Sequence, residues 1–320
     1  GQAIKKPVVF CAYTRAHPRA VELLAQAGFP CLENMSNAAR AIKAMADYQT
    51  FLEEFDPTDD KPPARTKTWP TLDPDIPIYT EHAAKQMLSQ LKIPCPPGRL
   101  VTSAEQAVAA AATFNSPVAL KVQSAQIPHK TEVGGVALNL LGTDQVASGY
   151  EAMMHETRIH APTAKIDGIR VEPMAPPGTE LIVGIHRDPD FGLLLSIGSG
   201  GVLVEVVNDL VTTPLPVNSH QAHRLLNQLH CRPLLGGVRG RAPADIDALV
   251  ELLVRISNFA LANALALDTL DLNPVIVHDC GLGVTISDAL MGTRSSAPSS
   301  SMTCAPADST HESPWRMNDV

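Results

Sequence analysis

The amino-acid sequence predicts an α/β protein in which a short strand–helix–strand–helix stretch precedes a longer domain of unevenly mixed strands and helices. Three observations carry this prediction. From residue 7 to residue 54, short apolar runs alternate with stretches of helical period, and such alternation favours a parallel sheet covered by helices. Between residues 57 and 77 stand Pro57, Pro62, Pro63, Pro70, Pro74 and Pro77 among charged and small polar residues, which reads as an inter-domain linker. Beyond it, strand-like runs cluster before residue 208, helical ones follow, and strands return near residue 287.

The elements read as follows. Residues 7–11 are a strand, and His17 to Ala27 a helix that ends at Gly28, a natural stop. Phe29 to Leu32 is a second strand, and Ser36 caps a helix carrying Ala39, Ile42, Met45 and Ala46 on one face. Two strands do not make an independently stable sheet, so residues 1–56 read as the closing piece of a doubly wound domain, and the chain as part of something longer. Thr80 opens a helix with Ala84, Met87, Leu88 and Leu91 at helical spacing, and Ser103 with Gln106 forms a capping-box pattern. Strands follow at 117–122 and 135–140, a helix after Thr143, then strands at 168–174, 180–187, 192–197 and 202–208. Helices at 219–230 and 243–265 lead to strands at 269–277 and 284–287. The closing Ser, Pro, Thr and Ala stretch has no periodicity and reads as a disordered tail over 292–320.

Composition narrows the function. The net charge is −8, no basic stripe is present and aromatics are 4%, which argues against nucleic acid, whose phosphates need clustered Lys and Arg. No apolar run approaches the roughly 18 residues of a membrane helix. The six cysteines, at 11, 31, 95, 231, 280 and 304, contain no CxxC pair; they read as reduced thiols of a cytoplasmic protein rather than a zinc site or disulfide framework. His220 with His223, and His155 with His160, each lack a third ligand nearby and read as solvated helix surface.

Five segments look chemical. Lys121 interrupts the apolar run Pro117–Val122; it either reaches water at a sheet edge or meets an anion, since an unpaired buried ammonium is costly. The loop His129–Val136 holds Lys130 and paired glycines, Gly134 and Gly135, which suits a phosphate clamp but also a plain turn. Glu172 and Glu180 flank the proline-rich connection Pro173–Gly178, as surface carboxylates or as a hinge for an adenine and its sugar. Gly198–Gly201 with Glu205 lacks the lysine of a P-loop. Asn273 and Asp288 stand on successive strands, with Asp271 on the face of Asn273; oxygen ligands on neighbouring strands suit Mg²⁺.

Together these segments resemble a known family. The run from Pro77 to Leu290 is similar to the ATP-grasp domain of the ADP-forming acetate–CoA ligases, relatives of the succinyl-CoA synthetase β subunit. The marks are Lys121, Ile127–Thr131 with Val133–Val136, Asp188–Gly192, Gly198–Gly201 with Glu205, Leu234–Gly240 and Asp271–Pro274. The resemblance implies an ATP-grasp fold of two α+β subdomains over 78–291, preceded by a flavodoxin-like remnant of a CoA-ligase domain. It further implies that Lys121, His129, Lys130, Thr131, Glu172, Ala175, Glu180 and Arg239 bind ATP or ADP, and that Asn273 and Asp288 hold Mg²⁺. His129 would receive phosphate in a relay that links acid, CoA and ATP to acyl-CoA, ADP and phosphate; its alternative role is to donate hydrogen bonds to phosphate. CoA would be a cosubstrate bound by domains on the N-terminal side, in the same polypeptide or a separate subunit. A non-catalytic nucleotide-binding regulatory module and an ATP-grasp carboxylate–amine ligase are the rival readings, and the second needs no histidine in the phosphate loop.

Overall fold

The protein's computed structural model describes residues 8–12, 14–54, 69–201, 209–237, 240 and 242–294. The chain divides into two compact units, Gly1–Lys61 and Pro62–Val320.

In the first unit β1 (Phe10–Cys11) and β2 (Cys31–Leu32) alternate with α1 (Pro18–Gln26) and α2 (Met35–Glu54). The strands pair in parallel, Phe10 opposite Cys31 and Cys11 opposite Leu32, as the alternation predicts. Pro18 sits in the first turn of α1, where its missing N–H costs nothing. Asn34, not Ser36, caps α2: its Oδ1 accepts from the Asn37 N–H at 2.8 Å, the donor three residues on that N-cap geometry selects. Ala38 is the one buried apolar residue among this unit's described positions, and Phe10, Phe29, Ile42, Met45, Tyr48 and Leu52 are all exposed. Two strands and two helices leave most of their apolar surface uncovered.

The second unit holds two antiparallel sheets. The smaller orders β4 (Arg99–Val101), β7 (Gly168–Pro173), β5 (Val118–Gln123) and β6 (Val136–Leu140). Helices α4 (Ala104–Ala111) and α5 (Gly142–His160) cover one face, packing Ala107, Val146 and Met153 on Val118, Leu120 and Val122. Strand period two then turns Lys121 and Gln123 to the opposite face. The larger sheet runs β10 (Leu210–Pro214), β9 (Gly192–Ser199), β8 (Thr179–Asp188), β11 (Leu267–Val277), β13 (Ala289–Thr293) and β3 (Ile78–Tyr79), with β12 (Val284–Ile286) also on β11. Its core side packs against α3 (Glu81–Gln90), α6 (Ser219–Gln228), α7 (Arg232–Leu235) and α8 (Ile246–Ala262).

The capping residues do what their chemistry predicts, with one change. Thr80 Oγ1 accepts from the Ala83 N–H and Ser103 Oγ from the Gln106 N–H. Gln106 returns not to Ser103 but to the Thr102 N–H, at 2.9 Å. Four strands, β3, β4, β10 and β13, were not evident in the sequence; each is fixed by its ladder to a neighbouring strand. The segment from Trp69 to Pro77, expected as linker, packs on the second unit: Leu72 is buried, its N–H donates to Asn263 Oδ1, and Asn263 Nδ2 donates to the Pro70 carbonyl. At the other end β13 continues to Thr293, past the expected start of the tail. The strand expected at 202–208 and the chain from 295 onward lie outside the described residues. No helix among the described residues is long and apolar enough to cross a membrane.

Candidate functional site

Lys121 does not reach water. It is 7% exposed and points from β5 into a buried group of charges between the two sheets. Its ammonium donates to Glu81 Oε1 at 2.9 Å and to the Ser287 carbonyl, and lies 2.9 Å from Glu172 Oε1. Glu81 occupies the first turn of α3, and Lys85, one turn later, lies 2.6 Å from Glu81 Oε1. Lys85 also donates to both Glu172 oxygens at 2.9 Å and to the Ser287 carbonyl at 2.7 Å. Arg170 Nε donates to Glu172 Oε2 at 2.7 Å, and its other nitrogens meet the Pro96 carbonyl and His82 Nδ1. Burial alone would push the Glu81 carboxyl up, but Lys121, Lys85 and Lys130 hold it well below the usual carboxylate range. Burial likewise disfavours the Lys121 ammonium, and the charges of Glu81, Glu172 and Asp288 overcome it and raise its pKa.

Lys130 links this group to a cavity of about 290 Å³ lined by Pro128–Glu132, Asp271, Asn273 and Asp288–Leu290. Its ammonium donates to Asp288 Oδ1 at 2.9 Å and lies 3.1 Å from Glu81 Oε2. A one-turn 3₁₀ helix, Lys130–Val133, sets this loop, closed by Gly134 at φ 66°. The paired glycines have separate causes. Gly134 supplies the left-handed turn, whereas a Cβ on Gly135 would come within 2.4 Å of Val122 Cγ1 and 2.8 Å of the Lys130 carbonyl. Across the cavity the Asn273 N–H donates to the Asp288 carbonyl at 3.3 Å, joining the two expected metal residues. Asp271, on the same side, is pushed up to about 6 by burial and by the Asp288 charge, against the pull of His129. Burial and Glu81 also raise the Asp288 carboxyl, opposed by Lys130 and Lys121. Asp271 Oδ1 is buried without a hydrogen-bond partner. A buried carboxylate oxygen left open, beside an amide and a second carboxylate, is a donor set that suits a hard cation such as Mg²⁺. Among the described residues no three His, Cys, Asp or Glu are placed to hold a metal by themselves, so a cation here would need further oxygens from a ligand.

The connection after β7 borders a second cavity, about 640 Å³, lined among others by Pro177–Leu181, Ser199–Gly201 and Asp279. Glu180 is exposed at its edge, and its carbonyl accepts from the Gly200 N–H at 2.9 Å. His278, 6% exposed, ties the connection down: one ring nitrogen lies 3.2 Å from the Pro177 carbonyl, the other 2.8 Å from Thr285 Oγ1.

The structure thus brings His129, Lys130, Thr131, Asn273 and Asp288 to one cavity, with Lys121 and Glu172 behind it through Glu81. Glu180 lines the other cavity, Ala175 is half-buried in the connection between β7 and β8, and Arg239 lies outside the described residues. Glu172 is not open to a ligand at its carboxylate, which Lys85, Lys121 and Arg170 already occupy. Sequence reasoning passed over Glu81, Lys85 and Arg170, and placed Asp271 only as a neighbour of Asn273 on one strand face. A signal for the first two was present: 81, 84, 85 and 88 share one helical face, and Ala84 and Leu88 mark that face as buried.

Comparison with known proteins decides the family. Residues 74–292 match the family described as ATP-grasp domain. The chain belongs to the ATP-grasp family. Among ATP-grasp relatives, the β subunit of ADP-forming acetate–CoA ligase II of Pyrococcus furiosus is 34% identical over 209 residues, covering 65% of this chain and 89% of that subunit. A trans-feruloyl-CoA synthase of an unknown prokaryotic organism is 34% identical over 294 residues, covering 91% of this chain; the chain spans 41% of that protein. Among solved structures, the dinucleotide-forming acetyl-coenzyme A synthetase 1 of Ca. Korarchaeum cryptofilum, in complex with coenzyme A, Ca-AMPCP and HgCl⁺, superposes with a TM-score of 0.65 at 36% identity, over 68% of this chain and 94% of that one. The same enzyme with coenzyme A and Mg-AMPPCP, its phosphohistidine segment pointing towards the nucleotide-binding site, gives 0.57 at 34% identity, over 67% and 92%. This ATP-grasp domain is therefore of the kind carried by ADP-forming acyl-CoA ligases.

Proposed function

We propose that the second unit binds ATP or ADP with Mg²⁺ between its two sheets, and that His129 accepts the terminal phosphoryl group. The whole reaction would be that of an ADP-forming acyl-CoA ligase: acid, CoA and ATP give acyl-CoA, ADP and phosphate. The observation that carries this reading is the single cavity shared by His129, Lys130, Asp271, Asn273 and Asp288: a nucleophile, a cation and a set of oxygen donors face one space.

The chain's own residues divide the work. Lys121 and Lys130 neutralise phosphate charge, Thr131 adds a hydroxyl and the loop backbone fixes the approach, since phosphoryl transfer rests on positioning and charge. A neutral His129 ring nitrogen attacks the γ-phosphorus; the N–P bond forms, the bond to the bridging oxygen breaks, and ADP leaves with the electron pair. Asp271, Asn273 and Asp288 would hold Mg²⁺, which when bound supplies charge neutralisation at the phosphates. Ala175 offers backbone groups to the adenine, with Glu172 behind it and Glu180 beside the sugar, while Arg239 contributes at the phosphates. CoA and the acid are taken up by CoA-ligase domains on the N-terminal side. The uncovered apolar residues of the first unit support a neighbouring domain there, and the 41% share of the feruloyl-CoA synthase that the chain spans supports a larger whole enzyme. The free thiols of Cys11, Cys31, Cys95, Cys231 and Cys280 suit a reducing cytoplasm.

Titration calorimetry with ATP tests the binding half. Heat of binding should grow on adding Mg²⁺, and Asp288→Asn should remove the Mg²⁺-dependent part while leaving metal-free binding in place. Equal binding with and without Mg²⁺ in the unmodified protein would contradict it.

A further inference from the structure

The ammonium groups of Lys85 and Lys121 share the same three acceptors. Both reach Glu81 Oε1, both reach Glu172 and both reach the Ser287 carbonyl. A lysine ammonium has three N–H donors, so Lys121 as it stands has none left for a phosphate oxygen. To bind one it must turn away from an acceptor, and a buried carboxylate that loses its cation is strongly disfavoured. Lys85 removes that obstacle. It is 1% exposed against 7% for Lys121, neither lines the cavity of His129 and Asp288, and Lys85 holds every acceptor that Lys121 would release in moving towards it.

The charge count points the same way. Among the groups joined by ion pairs, Lys85, Lys121, Lys130 and Arg170 face Glu81, Glu172 and Asp288, one positive charge in excess within that set. His82 lies against Arg170 and is pushed by burial, then by the Arg170 charge, towards its neutral form, so it leaves the excess unchanged. Without Lys85 the excess is gone, and Glu81, whose two oxygens face Lys121 and Lys130 respectively, becomes an internal rival to the phosphates.

We propose that Lys85 is a positioning residue for polyphosphate: it retains the Glu81, Glu172 and Ser287 acceptors so that Lys121 is free to engage a phosphate. This rests on the nucleotide reading of the site. The direct measurement is the affinity of the full chain for ATP and for AMP, in the unmodified protein, Lys85→Met, Glu81→Gln and the double variant. Lys85→Met should weaken ATP by about tenfold or more, the scale of one unit charge a few ångströms from a polyanion in a partly buried site, and should weaken AMP much less. Glu81→Gln combined with Lys85→Met restores one excess positive charge and should recover the ATP-over-AMP preference. A purely structural role would lower the stability of Lys85→Met and weaken both ligands in equal proportion. If Lys85→Met fails to fold, the double variant against Glu81→Gln makes the same comparison, with the lower ATP preference expected in the double variant. An unchanged ATP-to-AMP ratio in Lys85→Met, or no recovery in a folded double variant, would overturn the inference alone. Failure of the unmodified chain to bind ATP would overturn the nucleotide reading and the inference with it.

Discussion

At the scale of single residues, burial decides which charged groups matter. Lys121 and the exposed Lys165 both stand near carboxylates, but the Lys165–Asp167 pair is solvent-exposed at 3.7 Å, where an ion pair contributes little. Lys121→Met should cost about 3 kcal/mol in urea unfolding, because it leaves Glu81 and Glu172 buried with fewer partners. Lys165→Met should leave the midpoint within experimental error. The sequence made Lys121, Lys130, Asn273 and Asp288 legible because each is a charged or amide side chain inside an apolar strand or beside glycines, a local conflict that has to be resolved by a ligand or a partner. It did not make Glu81, Lys85 and Arg170 legible, because their partners lie up to 202 positions away and a carboxylate–lysine pair one helical turn apart looks like ordinary helix surface. Asp271 was noticed only as a neighbour of Asn273; its open buried oxygen is a property of packing, not of spacing.

At the scale of elements, the turns and caps hold the site in place. Asp245 caps α8 through the Ala248 N–H and also accepts from the Gly281 and Gly283 N–H groups at 2.9 Å, fixing the loop between β11 and β12. Asp245→Ala should cost about 2 kcal/mol of stability, the loss of a cap together with two further hydrogen bonds, as read by the unfolding midpoint, with ATP affinity little changed. Gly135→Ala should do the reverse. The added methyl group meets Val122 and the Lys130 carbonyl, so the loop must shift and carry Lys130 with it, and the expected result is weakened ATP binding with a smaller effect on stability. The long elements were readable from period and caps. The short edge strands were not, because a strand such as Ile78–Tyr79 exists only through its ladder to Met291 and Gly292.

At the scale of the molecule, the two units differ in how they are stabilised. The second packs two apolar cores on either side of its charged site, whereas the first buries almost nothing among its described residues. A chain of residues 69–294 is therefore expected to fold cooperatively and to bind ATP as the full chain does, checked by calorimetry and by a single thermal transition. Residues 1–61 alone should show little protected structure by hydrogen exchange, since two strands and two helices with exposed apolar faces lack a core. The parallel pairing of β1 and β2 followed from the alternation of strands and helices in the sequence. The inclusion of Trp69–Pro77 in the second unit did not, because proline content reports a break in regular structure and says nothing of burial.

The central claim, that this ATP-grasp domain passes phosphate through His129, meets its most direct test in the purified chain incubated with Mg²⁺ and γ-labelled ATP. The account predicts a protein-bound label that is acid-labile and base-stable, and absent in His129→Ala although that variant still binds ATP. A label of the same stability and extent in His129→Ala would contradict it.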